Sequence, residues 1–364
     1  MVDESHPIED EQVEGETPRP FDPSQIRVKQ VNLSAFNVHR MLEDGAIDLA
    51  PDFQRKAGLW DDKKQSRLIE SLMIRIPLPA FYLEEDTKQD HYIAVDGIQR
   101  LTAIRRFMVD RVLKLRGLEY LTDLDGKTYD ELPRAFQRRV EEANLSVYVI
   151  ERGTPSEAKL NIFKRINTGG LALTAQEIRH AMNPGPIREL LRTLAESEAF
   201  KEATDNVNGD RMADREMIAR FLAFRGPGRA RYPRAGDFDA FINDAMAELN
   251  RASDAERDAF AAATRRALRA AHEALGDWAF RRPARDGRRS PVNKALFEAV
   301  MVAVDAMTDD ERGALIAHAA EAGDAYRRAL EDQALIDAVT AATGDVAKVE
   351  RRFSTIDAAL RSAL

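Results

Sequence analysis

A carboxylate, a glycine, an amide and a guanidinium crowd together at Asp96, Gly97, Gln99 and Arg100. Each has a chemistry that the others complete. Mg²⁺ prefers one or two carboxylates plus phosphate oxygens, which gives Asp96 a possible metal role. An arginine fork matches a phosphate, and free backbone N–H groups at a helix start attract one. The cluster reads as a nucleotide or phosphate site. It also reads as a polar turn in which Arg100 pairs with Asp96 for structure alone. Spacing leaves both readings open, because an Asp-Gly pair before a helix is common.

The elements around the cluster set its place. His91 to Val95 has the β-branched and aromatic pattern of a buried strand. Asp96-Gly97 is a turn signal. Leu101, Ile104, Phe107 and Met108 then recur at helical spacing, predicting one helix over 98–110. Upstream, Val38, Met41, Leu42 and Ile47 suggest a helix within Ile26–Leu49 that Gly45 follows. Pro51-Asp-Phe-Gln-Arg55 reads as extended. Asp61 caps a helix with the stripe Leu68, Ile69, Leu72, Met73 and Ile76, stopped by Pro77 and Pro79. Phe81-Tyr-Leu83 is a short strand, and Glu84 to Asp90 a charged turn. A helix over about 130–143 and an alternating strand from Leu145 to Ile150 follow. Thr154-Pro-Ser-Glu157 and Thr174-Ala-Gln-Glu177 are capping boxes for two more helices. Asn183-Pro-Gly-Pro186 breaks the chain and marks a domain boundary.

Composition fits a globular protein: 364 residues, 44% hydrophobic and 32% charged. No window approaches a membrane span, and no signal peptide is visible. The lack of cysteine removes disulfides and thiolate metal sites and fits a reducing cytoplasm. The net charge of −8 is uneven. Residues 1–25 hold eight acids and one base, which leaves −1 for the rest, so the body is not hostile to a polyanion. This segment, with four prolines, is expected to be a disordered acidic tail. Beyond residue 186 the chain is alanine-rich and helical, with candidate helices at 187–197, 211–224, 238–250, 254–278, 292–305, 309–321, 325–342 and 346–363. Two arginine-rich stretches, 225–234 and 281–289, read as loops. They could hold a nucleic-acid backbone through Arg229, Arg231, Arg285 and Arg288, or merely be solvated.

Several chemistries are excluded. The six histidines form no zinc pair or His-Asn-His arrangement, and neither a P-loop nor a Gly-x-Ser-x-Gly elbow occurs. Arg211-Met-Ala-Asp-Arg-Glu216 mixes charges as helix-surface pairs do.

Four ordered segments carry a resemblance. They are Pro51-Asp-Phe-Gln-Arg55; Trp60 with Leu68-Ile-Glu-Ser-Leu72 and Ile76-Pro-Leu-Pro79; Val95 to Ile104; and Phe163-Lys-Arg-Ile-Asn-Thr-Gly-Gly170 with Leu173 to Arg179. Together they resemble the N-terminal domain family of GmrSD-type restriction endonucleases, whose hallmark is an Asp-Gly-Gln-Gln-Arg motif. The resemblance implies an α+β fold: a small mixed sheet with helices, ParB/sulfiredoxin-like, followed by an all-α helical domain. The expected division is an acidic tail at 1–25, a nucleotide-binding domain at 26–185 and a helical domain at 186–364.

The resemblance also implies a nucleoside triphosphate ligand, Mg²⁺ as a cofactor, and hydrolysis in defence against phage and foreign DNA. Asp96, Gln99 and Arg100 would be catalytic. Gln54, Arg55, Gly97, Arg100 and Asn167 would bind the nucleotide, and Asp96 would hold the metal. The alternative is a non-catalytic module that senses nucleotide or binds DNA and acts with a partner effector protein. Two departures bear on the choice. Ile98 stands where the family has its first Gln and cannot orient water. Many relatives carry a His-Asn-His-like nuclease domain, and no such histidine pair occurs here, so DNA cleavage by that route is not expected.

Overall fold

The structure, a computed structural model, describes residues 8–9, 23–49, 60–86, 91–166, 174–207, 209–235, 237–283 and 289–364. Gln54, Arg55, Asn167, Arg285 and Arg288 lie outside the described residues. The chain forms two compact units: Phe21–Ala181, and Met1–Pro20 together with Met182–Leu364. The fold is α+β, a small mixed sheet with helices followed by a helical region. No helix among the described residues is long and apolar enough to cross a membrane.

The first unit is built on strands β1 (Val28–Ser34), β2 (Ile47–Asp48), β3 (Phe81–Glu85), β4 (Tyr92–Asp96) and β5 (Asn144–Ile150), in the order β1-β5-β3-β4-β2. β1 runs antiparallel to β5, and β5 is parallel to β3. β3 and β4 are antiparallel, and β4 is parallel to β2. Alternation along β5 puts Leu145, Val147 and Val149 in the core beside Phe81 and Leu83. β1 was not expected, because Val28 is out of phase with Val31 and Leu33, which pair with Val147 and Leu145.

Around the sheet lie α1 (Ala35–Glu43), α2 (Asp62–Met73), α3 (Ile98–Ile104), α4 (Arg134–Glu141), α5 (Ser156–Ile166) and α6 (Ala175–Met182). Asp61 caps α2 as expected, accepting from Lys64 N at 2.7 Å. The helix begun at Ile98 is not regular to its end, since Arg105–Val109 widens into a π-turn. Thr174 and Glu177 form their expected capping box at α6. The Thr154 hydroxyl does not cap α5. It lies 3.2 Å from both the N and the O of Arg27 and fastens the entry to β1.

The second unit holds α7 (Pro186–Ala195), α8 (Glu198–Thr204), α9 (Ala213–Phe224), α10 (Gly228–Ala235), α11 (Phe238–Arg251) and α12 (Asp254–Leu275). It continues with α13 (Lys294–Asp305), α14 (Asp309–Ala317), α15 (Ala319–Ala329), α16 (Gln333–Thr340) and α17 (Val346–Arg361). The capping boxes at Ser253 and Thr308 start α12 and α14. The arginine-rich stretch after Arg225, read as a loop, folds as α10. Tyr232 anchors it in a ring cluster with Phe224, Phe238 and Phe241.

Glu216, expected to pair on a helix surface, is buried instead. A run of charges crosses this core: Lys294 to Glu216 at 2.7 Å, Glu216 to Arg220 at 2.8 Å, Arg220 to Glu298 at 3.8 Å, and Glu298 to Arg352. Each charge has an opposite neighbour, which is the condition for keeping charges in an apolar interior.

Candidate functional site

The strand–helix junction that sequence singled out is built from three short elements. β4 delivers Asp96 at its end. Gly97 turns the chain at φ 88°, and α3 begins at Ile98. Only glycine adopts this conformation without strain. Space also demands it, because a Cβ at Gly97 would sit 2.6 Å from Phe81 Cδ1.

Arg100, one turn into α3, folds back under the junction. Its Nη2 donates to Asp96 Oδ2 at 2.6 Å. Its Nη1 donates to the carbonyls of Pro79 and Ala80, the latter at 3.2 Å. The guanidinium also lies 4.6 Å from the Phe81 ring centre. Burial lowers its pKa from the ordinary arginine value, and the Asp96 carboxylate pulls in the opposite direction. Arg100 thus clamps the strand entry and one oxygen of Asp96. The Asp96 side chain keeps 35% exposure, and no hydrogen bond to its Oδ1 occurs among the described residues.

Gln99 points the other way. Its Oε1 accepts from Trp60 N at 3.2 Å, and Gln65 Nε2 donates to Trp60 O at 2.6 Å. Gln99 therefore fixes the backbone just before α2. Ile98, the departure from the family motif, is buried in the core at 6% exposure. At this position the side chain faces the packing, so the exchange of Gln for Ile removes no polar group from the exposed edge of Asp96. Phe163 is likewise core.

The sheet adds neighbours that sequence did not reveal. Tyr82 pairs with Asp96 across β3 and β4, and with Tyr148 across β3 and β5. The two tyrosine rings stack at 5.1 Å. Burial raises the Tyr82 pKa, and Tyr148 and the Asp96 charge push the same way, so Tyr82 keeps its proton as a donor. Nothing in one sequence fixes cross-strand register, and these two residues were legible only as alternate positions in two separate strands.

Among the described residues no group of three or more His, Asp or Glu could hold a metal ion. Asp96 is a single carboxylate. It fits a cation whose remaining ligands are phosphate oxygens and water, and it does not fit an all-protein metal cage. A cleft of about 430 Å³ lies farther along the same helix, lined among others by His91, Thr102, Arg105 and Arg106. Asp96 does not line it, and Arg106 is already held by Asp62 and Gln65 at 2.9 and 2.7 Å.

Of the arginines read as nucleic-acid contacts, Arg229 is paired with Glu350 and Arg231 with Glu248 at 3.3 Å. In the second arginine-rich stretch, Arg281 is buried, with Nη1 and Nη2 donating to the carbonyls of Ser290 and Thr204, and Arg289 pairs with Asp277.

Searches of curated proteins and of solved structures returned no match. Residues 38–183 match the family model described as the GmrSD restriction endonuclease, N-terminal domain. The segment that carries Asp96, Gly97 and Arg100 lies within that match and is similar to the GmrSD N-terminal domain.

Proposed function

We propose that this domain binds a nucleoside triphosphate with Mg²⁺ and hydrolyses it, within a system that acts against phage and foreign DNA. The observation that carries the reading is the state of Asp96. One oxygen is locked by Arg100, while the other sits at a partly exposed strand–helix junction with no partner among the described residues. A carboxylate oriented in this way is suited to a cation shared with phosphate oxygens, and a cation there would offset charge developing on the phosphoryl group. Gln99, whose oxygen fixes Trp60, has no partner for its amide N–H groups among the described residues and would offer them to a ligand. Arg100 acts through Asp96 as a positioning residue. Gln54, Arg55 and Asn167 are proposed to complete the nucleotide's surroundings.

The test is nucleotide binding and turnover by purified protein, with and without Mg²⁺, for the parent and Asp96→Asn. The expected outcome is Mg²⁺-dependent binding in the parent that the substitution removes. Turnover that survives Asp96→Asn would sink the assignment.

A second reading is a nucleotide sensor that passes its state to a partner effector protein. It is favoured by the way Arg100 uses its donors on Pro79, Ala80 and Asp96, which leaves no described arginine at the junction to stabilise a transferring phosphoryl group. Tight binding without turnover selects it.

A further inference from the structure

Within the helical unit, two residues of the acidic N-terminal segment are seated in a built site. Phe280 to Pro283 and Arg289 to Asn293 form a small antiparallel ladder. Ser290 N donates to Arg282 O at 3.0 Å and Asn293 N to Phe280 O at 2.9 Å, with a bridge between Pro283 and Arg289. Ile8 joins this ladder as a parallel bridge to Val292, and Glu9 N donates to Val292 O at 2.9 Å. The Ile8 side chain packs on the helical core. The Glu9 carboxylate receives Arg282 Nε at 2.6 Å and Asn293 Nδ2 at 3.0 Å.

The receptor half of this contact is built into the helical core. Asn293 is fully buried and has two other duties, since its Oδ1 caps α13 through Leu296 N at 2.8 Å and its Nδ2 also reaches Val339 O at 2.8 Å. Val292 is fully buried too. The notch therefore reads three features of an incoming segment: extended backbone, an apolar side chain and, next to it, a carboxylate. That is recognition by strand addition, with backbone hydrogen bonds giving affinity and a charge-assisted pair giving specificity. The incoming half is short and comes from the acidic, proline-containing segment expected to have little structure of its own.

We propose that this notch is a docking site for an extended apolar–acidic dipeptide, filled in cis by Ile8–Glu9 and open to a competing segment of the same pattern. Held by a tether of fixed length, the cis segment acts at an effective concentration of about millimolar or above, so it excludes a weak competitor until it is released.

The experiment uses the full chain and a labelled peptide of residues 1–20, followed by fluorescence anisotropy. The Glu9→Ala chain is expected to bind the peptide at least tenfold more tightly than the parent, whose own segment competes. Arg282→Gln added to Glu9→Ala is expected to abolish that binding, as is Glu9→Ala in the peptide itself. A scrambled peptide of the same composition controls for general charge attraction. Equal binding to parent and Glu9→Ala chains, no binding to either while circular dichroism shows both folded, or equal binding of the scrambled peptide would each overturn the proposal. A parent chain that dimerises through exchanged segments in sedimentation would overturn the cis occupancy.

Discussion

Arg100 donates to Asp96 at 2.6 Å across the strand–helix junction, and the same guanidinium grips the carbonyls of Pro79 and Ala80. One side chain thereby fixes the end of β4 against the segment entering β3. A lysine is a point donor and cannot hold that fork. Arg100→Lys is expected to lower stability by about 2 kcal/mol, since two charge-assisted bonds are lost in a buried place. Asp96→Asn keeps an acceptor for Arg100 and is expected to cost less than half as much. Chemical denaturation of both variants checks the order, and the reverse order would contradict the clamp.

Gly97 is expected to be intolerant for two separable reasons. Its φ of 88° strains any L side chain, and a Cβ would meet Phe81 Cδ1 at 2.6 Å. Gly97→Ala should cost about 2–4 kcal/mol from strain and overlap combined. Adding Phe81→Leu to Gly97→Ala would relieve the overlap and leave the backbone strain. Partial recovery of the urea midpoint is the expected result, and full recovery would mean that the backbone term is negligible.

Glu70 supplies a pH-dependent prediction. Burial pushes its pKa up. The backbone N–H groups of Glu119, Leu121 and Tyr120, donating at 2.9, 2.8 and 2.7 Å, outweigh that and hold it below the ordinary value of 4.5. A group with a depressed folded pKa contributes stability above its unfolded pKa and loses it as pH falls through the folded one. Glu70→Gln should therefore be about 2 kcal/mol less stable than the parent at neutral pH, with the gap closing in acid. Melting curves across pH 7 to 3 measure it.

The buried charges of the helical unit give a fourth test. Glu298 and Arg352 are both at 0% exposure, with Arg352 Nε donating to Glu298 Oε1 at 2.8 Å. Removing one partner leaves the other charge uncompensated, so Glu298→Gln is expected to cost about 3–5 kcal/mol. Glu298→Gln combined with Arg352→Met should cost well under the sum of the two single changes. Additive costs would show that the two side chains are not coupled.

Much of this was legible because local signals were strong. The junction at Asp96-Gly97, the caps at Asp61, Thr174, Ser253 and Thr308, and most of the helices follow from spacing and capping chemistry that neighbouring residues decide among themselves. What stayed hidden depended on distant partners. The Tyr82–Asp96–Tyr148 register, the Thr154 bond to Arg27 and the burial of Glu216 are each set by segments far away in the chain. The Arg100 site shows the limit most clearly. Its residue types fit a phosphate site and a structural clamp equally, and only the positions of the Pro79 and Ala80 carbonyls assign its donors.

The grip of Glu70 on residues 119–121 also sets how freely that loop can drift in sequence. The carboxylate binds peptide N–H groups and ignores the side chains attached to them, one of which, Tyr120, is 71% exposed. Almost any residue can stand at 119 or 120 without loosening the loop, with proline the exception because it has no N–H to offer. A library randomised at these positions should thus tolerate broad chemistry and reject proline, while position 70 should accept almost nothing but glutamate. In this domain one acid outside the loop holds residues 119–121 through their peptide groups alone.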